Sequence, residues 1–133
     1  MNATPLRVLI VDDYVDNARM LKVLLKKEGH EARIVHDGPA AIAAANHQKP
    51  DVVLLDLSLP GMSGVDVATE LRRDPQRSRS VLVAITGHGA DRLPSPSPFD
   101  GYFAKPLDFA SLIAYLSEVS ARRERASWTP AVA

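Results

Sequence analysis

The chain has 133 residues, 46% of them hydrophobic and 24% charged, which is the size and balance of one globular domain with a single core. Its 16 basic and 16 acidic residues cancel, leaving no electrostatic footprint for nucleic acid or an anionic membrane surface. Cysteine is absent, so disulfides, thiolate nucleophiles and cysteine–zinc sites are excluded.

Leu6 to Val11 is a continuous apolar run apart from Arg7, the pattern of a strand covered on both faces. The stretch before it, MNATPLR, has no long apolar segment, so no signal peptide is expected, and no later run is long enough to span a membrane. Residues 14–28 switch to helical spacing, with Ala18, Leu21, Leu24 and Leu25 on one face and Gly29 as the stop. Glu31 to His36 reads as a second strand. Asp37-Gly38 is a turn, and Pro39 occupies the first turn of an alanine-rich helix through about Gln48. Asp51 to Leu55 is the most buried-looking strand and runs into Asp56.

Pro60-Gly61 marks a turn, after which Val65, Ala68 and Leu71 give a short helix stopped near Asp74-Pro75. Ser80 to Ile85 is a fourth strand and Asp100 to Ala104 a short fifth. Asp108 can cap a last helix whose apolar face is Phe109, Leu112, Ile113, Leu116 and Val119. Strand and helix alternate throughout, which argues for a parallel sheet with helices on both faces. The domain is expected over residues 1–120, followed by a fraying tail, 121–133, decorated by Arg122, Arg123 and Arg125 and carrying Trp128.

One segment breaks the rhythm. A helix is due between Thr86 and Asp100, yet the chain reads GHGADRLPSPSPF. A proline in a helix interior costs about 3 kcal/mol, so Pro94, Pro96 and Pro98 exclude a continuous helix. An irregular loop over residues 91–98 is expected instead.

The chemistry gathers where the strands end. Asp12 and Asp13, Asp56, Thr86 and Lys105 each follow an apolar run, and in an open α/β sheet the carboxyl ends of the strands form the ligand crevice. Alone, Asp13 could be a helix cap, Thr86 a strand-end hydroxyl and Lys105 a solvated lysine; their joint placement argues against each. Three carboxylates in one crevice repel and raise the need for a cation. Magnesium fits, being hard and content with carboxylates, waters and phosphate oxygens. Asp13 and Asp56 would ligate it and Asp12 would hold a coordinated water. Lys105 offers a point charge and Thr86 a hydroxyl to phosphoryl oxygens while Asp56 attacks.

With VLIVDD, the DG of HDGPAA, DVVLLDLSLPGMSG, the T of AITG and GYFAKP in this order, the chain resembles a response-regulator receiver domain from about residue 6 to 119. The resemblance implies a flavodoxin-like, doubly wound, five-stranded parallel sheet of order 2-1-3-4-5, with the fourth helix missing or reduced to the Pro-Ser loop. It implies Asp56 as phosphoacceptor, Asp12 and Asp13 as the acidic pair for Mg²⁺ with the backbone carbonyl of Ser58, Lys105 as the phosphoryl partner in a cis Lys105-Pro106 context, and Thr86 with Tyr102 as the switch pair. Ser58 and His88 would tune the access of hydrolytic water.

The implied function is a cytoplasmic, single-domain phosphoacceptor in a two-component phosphorelay. Its donor would be a sensor histidine kinase or histidine phosphotransfer protein and its output an unknown protein partner. It is expected to act as a monomer or weak dimer, without nucleic acid or membrane, and to catalyse only its own phosphorylation and dephosphorylation. The alternatives are a receiver from a hybrid histidine kinase, a pseudo-receiver scaffold, or a metal-dependent phosphatase, which would need a general acid or cap domain. The rebuilt stretch before the fifth strand puts family-style dimerisation through that face in doubt and loosens the expected coupling of Thr86 to Tyr102.

Overall fold

A computed structural model of the chain describes residues 4–74, 79–87 and 97–127. In chain order they form β1 (Arg7–Val11), α1 (Val15–Lys27), β2 (Glu31–Val35), α2 (Gly38–Gln48), β3 (Val52–Asp56), α3 (Gly64–Arg73), β4 (Val81–Thr86), β5 (Gly101–Ala104) and α4 (Phe109–Ser127). The five strands make one parallel sheet in the order β2-β1-β3-β4-β5. This is the expected flavodoxin-like, doubly wound architecture.

The sheet divides the core in two, because successive strand residues point to opposite faces. Val8, Ile10, Val52, Leu54, Val83 and Ile85 face one way and meet Ala18 and Leu25 of α1 and Leu112, Leu116 and Val119 of α4. Leu9, Val11, Val53, Leu55 and Leu82 face the other way, against Ala41, Ala44 and Ala45 of α2 and Val67, Ala68 and Leu71 of α3. The single core expected from chain length is therefore two layers sharing the strands. β3, central and buried at all five positions, serves both. The small side chains of α2 suit close approach of its axis to the sheet, and Asp37 caps it by accepting from the Ala40 amide at 2.8 Å.

Strand ends differ from expectation by one residue. The apolar runs stop at Leu55 and Ile85, but ladder pairing continues: Asp56 pairs with Ile85 and Thr86 with Ala104. Asp56 and Thr86 are thus the last residues of their strands rather than the first beyond them. Asp108 immediately precedes α4 and caps it as anticipated, accepting from the Ala110 amide and the Ser111 hydroxyl.

α4 continues to Ser127, past the expected domain boundary at residue 120. Long-range polar contacts hold these turns. Arg123 donates to the carbonyl oxygens of Arg79 at 2.6 Å and Asp51 at 3.1 Å, and the Ser120 hydroxyl donates to the Thr4 carbonyl at 2.6 Å. Trp128, the side chain of Arg125 and the rest of the tail lie outside the described residues. Among the described residues no helix occurs between β4 and β5. Ser97 and Pro98 are non-helical, while His88 and most of the expected 91–98 loop lie outside the described residues.

Candidate functional site

β1, β3 and β4 end side by side, and their last residues set the site. The Asp12 amide donates to the Val35 carbonyl, so the chain leaves β1 still tied to β2. One Asp12 carboxylate oxygen then accepts from the Tyr14 amide at 2.9 Å, a local turn that aligns the start of α1. Asp13 does not cap that helix; its N-cap position is Tyr14, with no side-chain capping bond. His36 bonds through Nδ1 to the Asp12 carbonyl at 2.9 Å, which requires the ring proton on Nδ1.

Asp56 is the best-held group. It is 3% exposed, and both carboxylate oxygens are occupied. Oδ1 accepts from the Ser58 amide at 2.8 Å and Oδ2 from Lys105 Nζ at 2.9 Å. Its backbone is hemmed in by α3, because a Cβ on Gly64 would lie 2.7 Å from the Asp56 carbonyl oxygen and 2.8 Å from Leu57 Cα. Lys105 arrives by the β4–β5 ladder, its amide donating to the Thr86 carbonyl at 2.8 Å. The Lys105-Pro106 bond is cis, as anticipated.

Oxygen atoms of Asp12, Asp13 and Asp56 come within 4.8 Å of one another, the single such acidic or metal-ligating cluster among the described residues. Lys105 is the cation paired with Asp56 there. The imbalance shows in Asp12, whose pKa is pushed above the ordinary carboxylate value by burial and by the charges of Asp56 and Asp13. The Tyr14 amide and Lys105 act in the opposite direction. A hard cation would relieve that repulsion, and the donors are all oxygen.

Thr86 is buried at 2% exposure, at the strand end beside Asp56. Tyr102 sits on β5 opposite Ala84, one side-chain alternation before the Thr86–Ala104 pair, and is 46% exposed. Its ring therefore stands outward. Ser58 is exposed and reaches the site through its amide.

Two features escape the sequence reading. The first is a cavity of about 560 Å³ between α1 and α4 that opens on Asp12, Asp56 and Lys105. Its walls include Met20, Leu21, Leu24, Pro106, Leu107 and Phe109. The second is an exposed apolar rim of Tyr14, Val15, Met20 and Val23. Met20 and Val23 fall off the predicted core face of α1, and that displacement is the signal the sequence does carry.

The sequence profile of the response regulator receiver domain matches residues 8–117. The chain belongs to that family. It is therefore a receiver domain of two-component signalling. The DNA-binding response regulator MtrA of Mycolicibacterium paratuberculosis is 39% identical over 125 residues, which are 94% of this chain and 54% of that protein. The chain thus spans about half the length of the curated relatives it matches. Among solved structures, a CheY-like receiver domain from Methylobacillus flagellatus superposes with a TM-score of 0.79 at 35% identity, covering 87% of this chain and 99% of that one. A sensor histidine kinase receiver domain from Pseudomonas aeruginosa, described with magnesium coordinated in its active-site cleft, gives 0.80 at 26% identity, covering 89% and 99%. No helix among the described residues is long and apolar enough to cross a membrane.

Proposed function

We propose that the chain is a phosphoacceptor whose Asp56 takes a phosphoryl group from a phosphohistidine and thereby changes a protein–protein contact. The observation that carries this reading is Asp56 itself: buried, bonded to Lys105 and the Ser58 amide, and crowded by two further carboxylates. The donor set fits magnesium, as the Pseudomonas relative leads one to expect. Asp12, Asp13 and Asp56, with the backbone carbonyl of Ser58, would hold it. Bound there, the ion neutralises charge on the phosphoryl oxygens.

The chain's own residues account for the rest. A carboxylate oxygen of Asp56 attacks phosphorus, the donor's P–N bond breaks, and its electron pair leaves with the imidazole. Lys105 Nζ exchanges its contact with Asp56 for a phosphoryl oxygen, and the Ser58 amide keeps the carboxylate oriented. The Thr86 hydroxyl gains a charge-assisted bond to the new group, which biases the loop and strand around it, with Tyr102 as the responding ring. Water attack on phosphorus restores the carboxylate, so the chain's catalysis is confined to its own phosphorylation and reset. The exposed rim of Tyr14, Val15, Met20 and Val23 lies beside the site and offers the donor protein an apolar seat.

Incubation with Mg²⁺ and acetyl phosphate tests this. Wild type should gain the mass of one phosphoryl group, and Asp56→Asn should not. No gain in wild type would point to a pseudo-receiver scaffold. A second context has specific support: the DNA-binding relatives are about twice as long, so this receiver would there govern a nucleic-acid-binding partner region. The exclusion of nucleic acid drawn from net charge covers only the residues of this chain and has no support from those relatives.

A further inference from the structure

α3 touches two things at its two ends. At its start, Gly64 lies against the Asp56 carbonyl and Leu57 Cα so closely that a single added carbon would collide with both. At its end, Arg72 spreads a three-way fork across the bottom of the sheet. Nε donates to the Pro98 carbonyl at 2.9 Å, one terminal nitrogen to the Ser80 carbonyl at 2.9 Å, and the other to the Asp100 carboxylate at 2.5 Å. The same Asp100 oxygen accepts from the Leu82 amide at 2.8 Å, and the Asp100 amide donates to the Leu82 carbonyl at 2.7 Å. Arg72 thus fastens the start of β5 both to α3 and to the start of β4.

Between these contacts α3 is a capped, ten-residue helix about 15 Å long. Ser63 accepts from the Asp66 amide, and Val67, Ala68 and Leu71 are buried in the core layer. Such a helix moves as a body, because packed interiors rearrange between discrete positions rather than bending continuously. β5 depends on such an anchor. It has four residues and a ladder on one side only, with β4. Its far end is tied by the Lys105 amide to the Thr86 carbonyl, and its near end by Arg72.

We infer that α3 carries the state of Asp56 to the start of β5, with Arg72 as the positioning residue that makes the connection. This route rests on the reading of Asp56 as phosphoacceptor and runs alongside the one through Thr86. It enters β5 from the opposite end, at Asp100 and Gly101 rather than at Lys105. Arginine is required because the three acceptors lie in different directions; a lysine ammonium on one flexible stem does not reproduce the planar fork.

Backbone amide NMR with Mg²⁺ and beryllofluoride tests the inference. In wild type, resonances should move at Leu57 and Ser58 and also at Asp100, Gly101 and Tyr102. Arg72→Ala should keep the first set and lose at least half of the second, and Arg72→Lys should restore little of it. A second set of wild-type size in Arg72→Ala, or no second set in wild type, would overturn the route. Should Arg72→Ala fail to fold, Asp100→Asn removes the ion pair yet keeps an oxygen for the Leu82 amide. It should shrink the second set while leaving the first, and an undiminished second set there sinks the route equally. Absence of the first set in wild type would instead remove the phosphoacceptor reading, and this inference with it.

Discussion

β3 begins after one aspartate and ends on another; each has a partner on both carboxylate oxygens, but the charge around them differs. Asp51, just before the strand, is fully answered. One of its oxygens accepts from the Arg7 amide at 2.8 Å, the other meets Arg123 at 3.5 Å, and its own amide and carbonyl engage Arg7 and Arg123. Asp56, at the other end, has one lysine set against two neighbouring carboxylates. The Asp51 carboxylate is balanced by Arg123, whereas the carboxyl end of the sheet is left with negative charge to spare. Satisfied charge fixes chain geometry, whereas surplus charge of this kind suits a cation.

Perturbing each end separately should break that contrast. Lys105→Met removes the cation that opposes Asp56, and phosphorylation by acetyl phosphate should slow by about 10²–10³-fold, the usual size for losing one preorganised charge partner; a stopped-flow or mass-spectrometric time course reads it. At the amino end, Asp51→Ala strands the Arg7 amide and removes the carboxylate facing Arg123, which keeps its two carbonyl acceptors. It should cost about 1–3 kcal/mol in urea unfolding while leaving the phosphorylation rate within about twofold of wild type.

The amino end also holds His30, 7% exposed, which accepts from the Leu6 amide at 3.1 Å through Nδ1. Burial lowers its pKa from 6.5, against a small opposing effect of Glu28. The unfolded chain therefore takes up more protons than the folded one below that value. Stability is complete above about pH 6.5 and falls as the pH drops below it; His30→Gln should flatten that dependence in denaturation midpoints measured across the range. The smallest effect belongs to Asp12→Asn, which removes one repelling charge yet keeps an acceptor for the Tyr14 amide. It should raise stability in the absence of metal by about 0.5–2 kcal/mol and weaken the Mg²⁺ titration followed by tyrosine fluorescence or by NMR.

Much of this architecture is legible in the sequence. The alternation of apolar runs and helical spacing announces a parallel sheet, and the five candidate site residues stand at strand ends, where an α/β fold forms its ligand crevice. Contact between distant residues is not legible there. Arg72 looks like an ordinary basic residue in the last turn of a helix, and nothing local tells it apart from Arg73. Its partners Pro98 and Asp100 lie 26 and 28 positions away. α4 runs past its apolar face because amphipathic spacing marks only the buried stripe. The turns beyond Val119 are held instead by Arg123, reaching 72 positions back to Asp51. The strand ends slip by one residue because hydrophobicity stops where the chemistry starts, while the backbone ladder does not.

The cavity between α1 and α4 has a practical consequence. At about 560 Å³ it lies in the range that accommodates drug-sized molecules, and its apolar walls lead directly to the carboxylate proposed to accept the phosphoryl group. A compact aromatic compound seated against Met20 and Phe109, with a basic arm reaching Asp12, would stopper the crevice from the side. Inhibitors built on this plan would owe their selectivity to α1 side chains, which the chemistry leaves unconstrained, rather than to the strand-end residues that it requires.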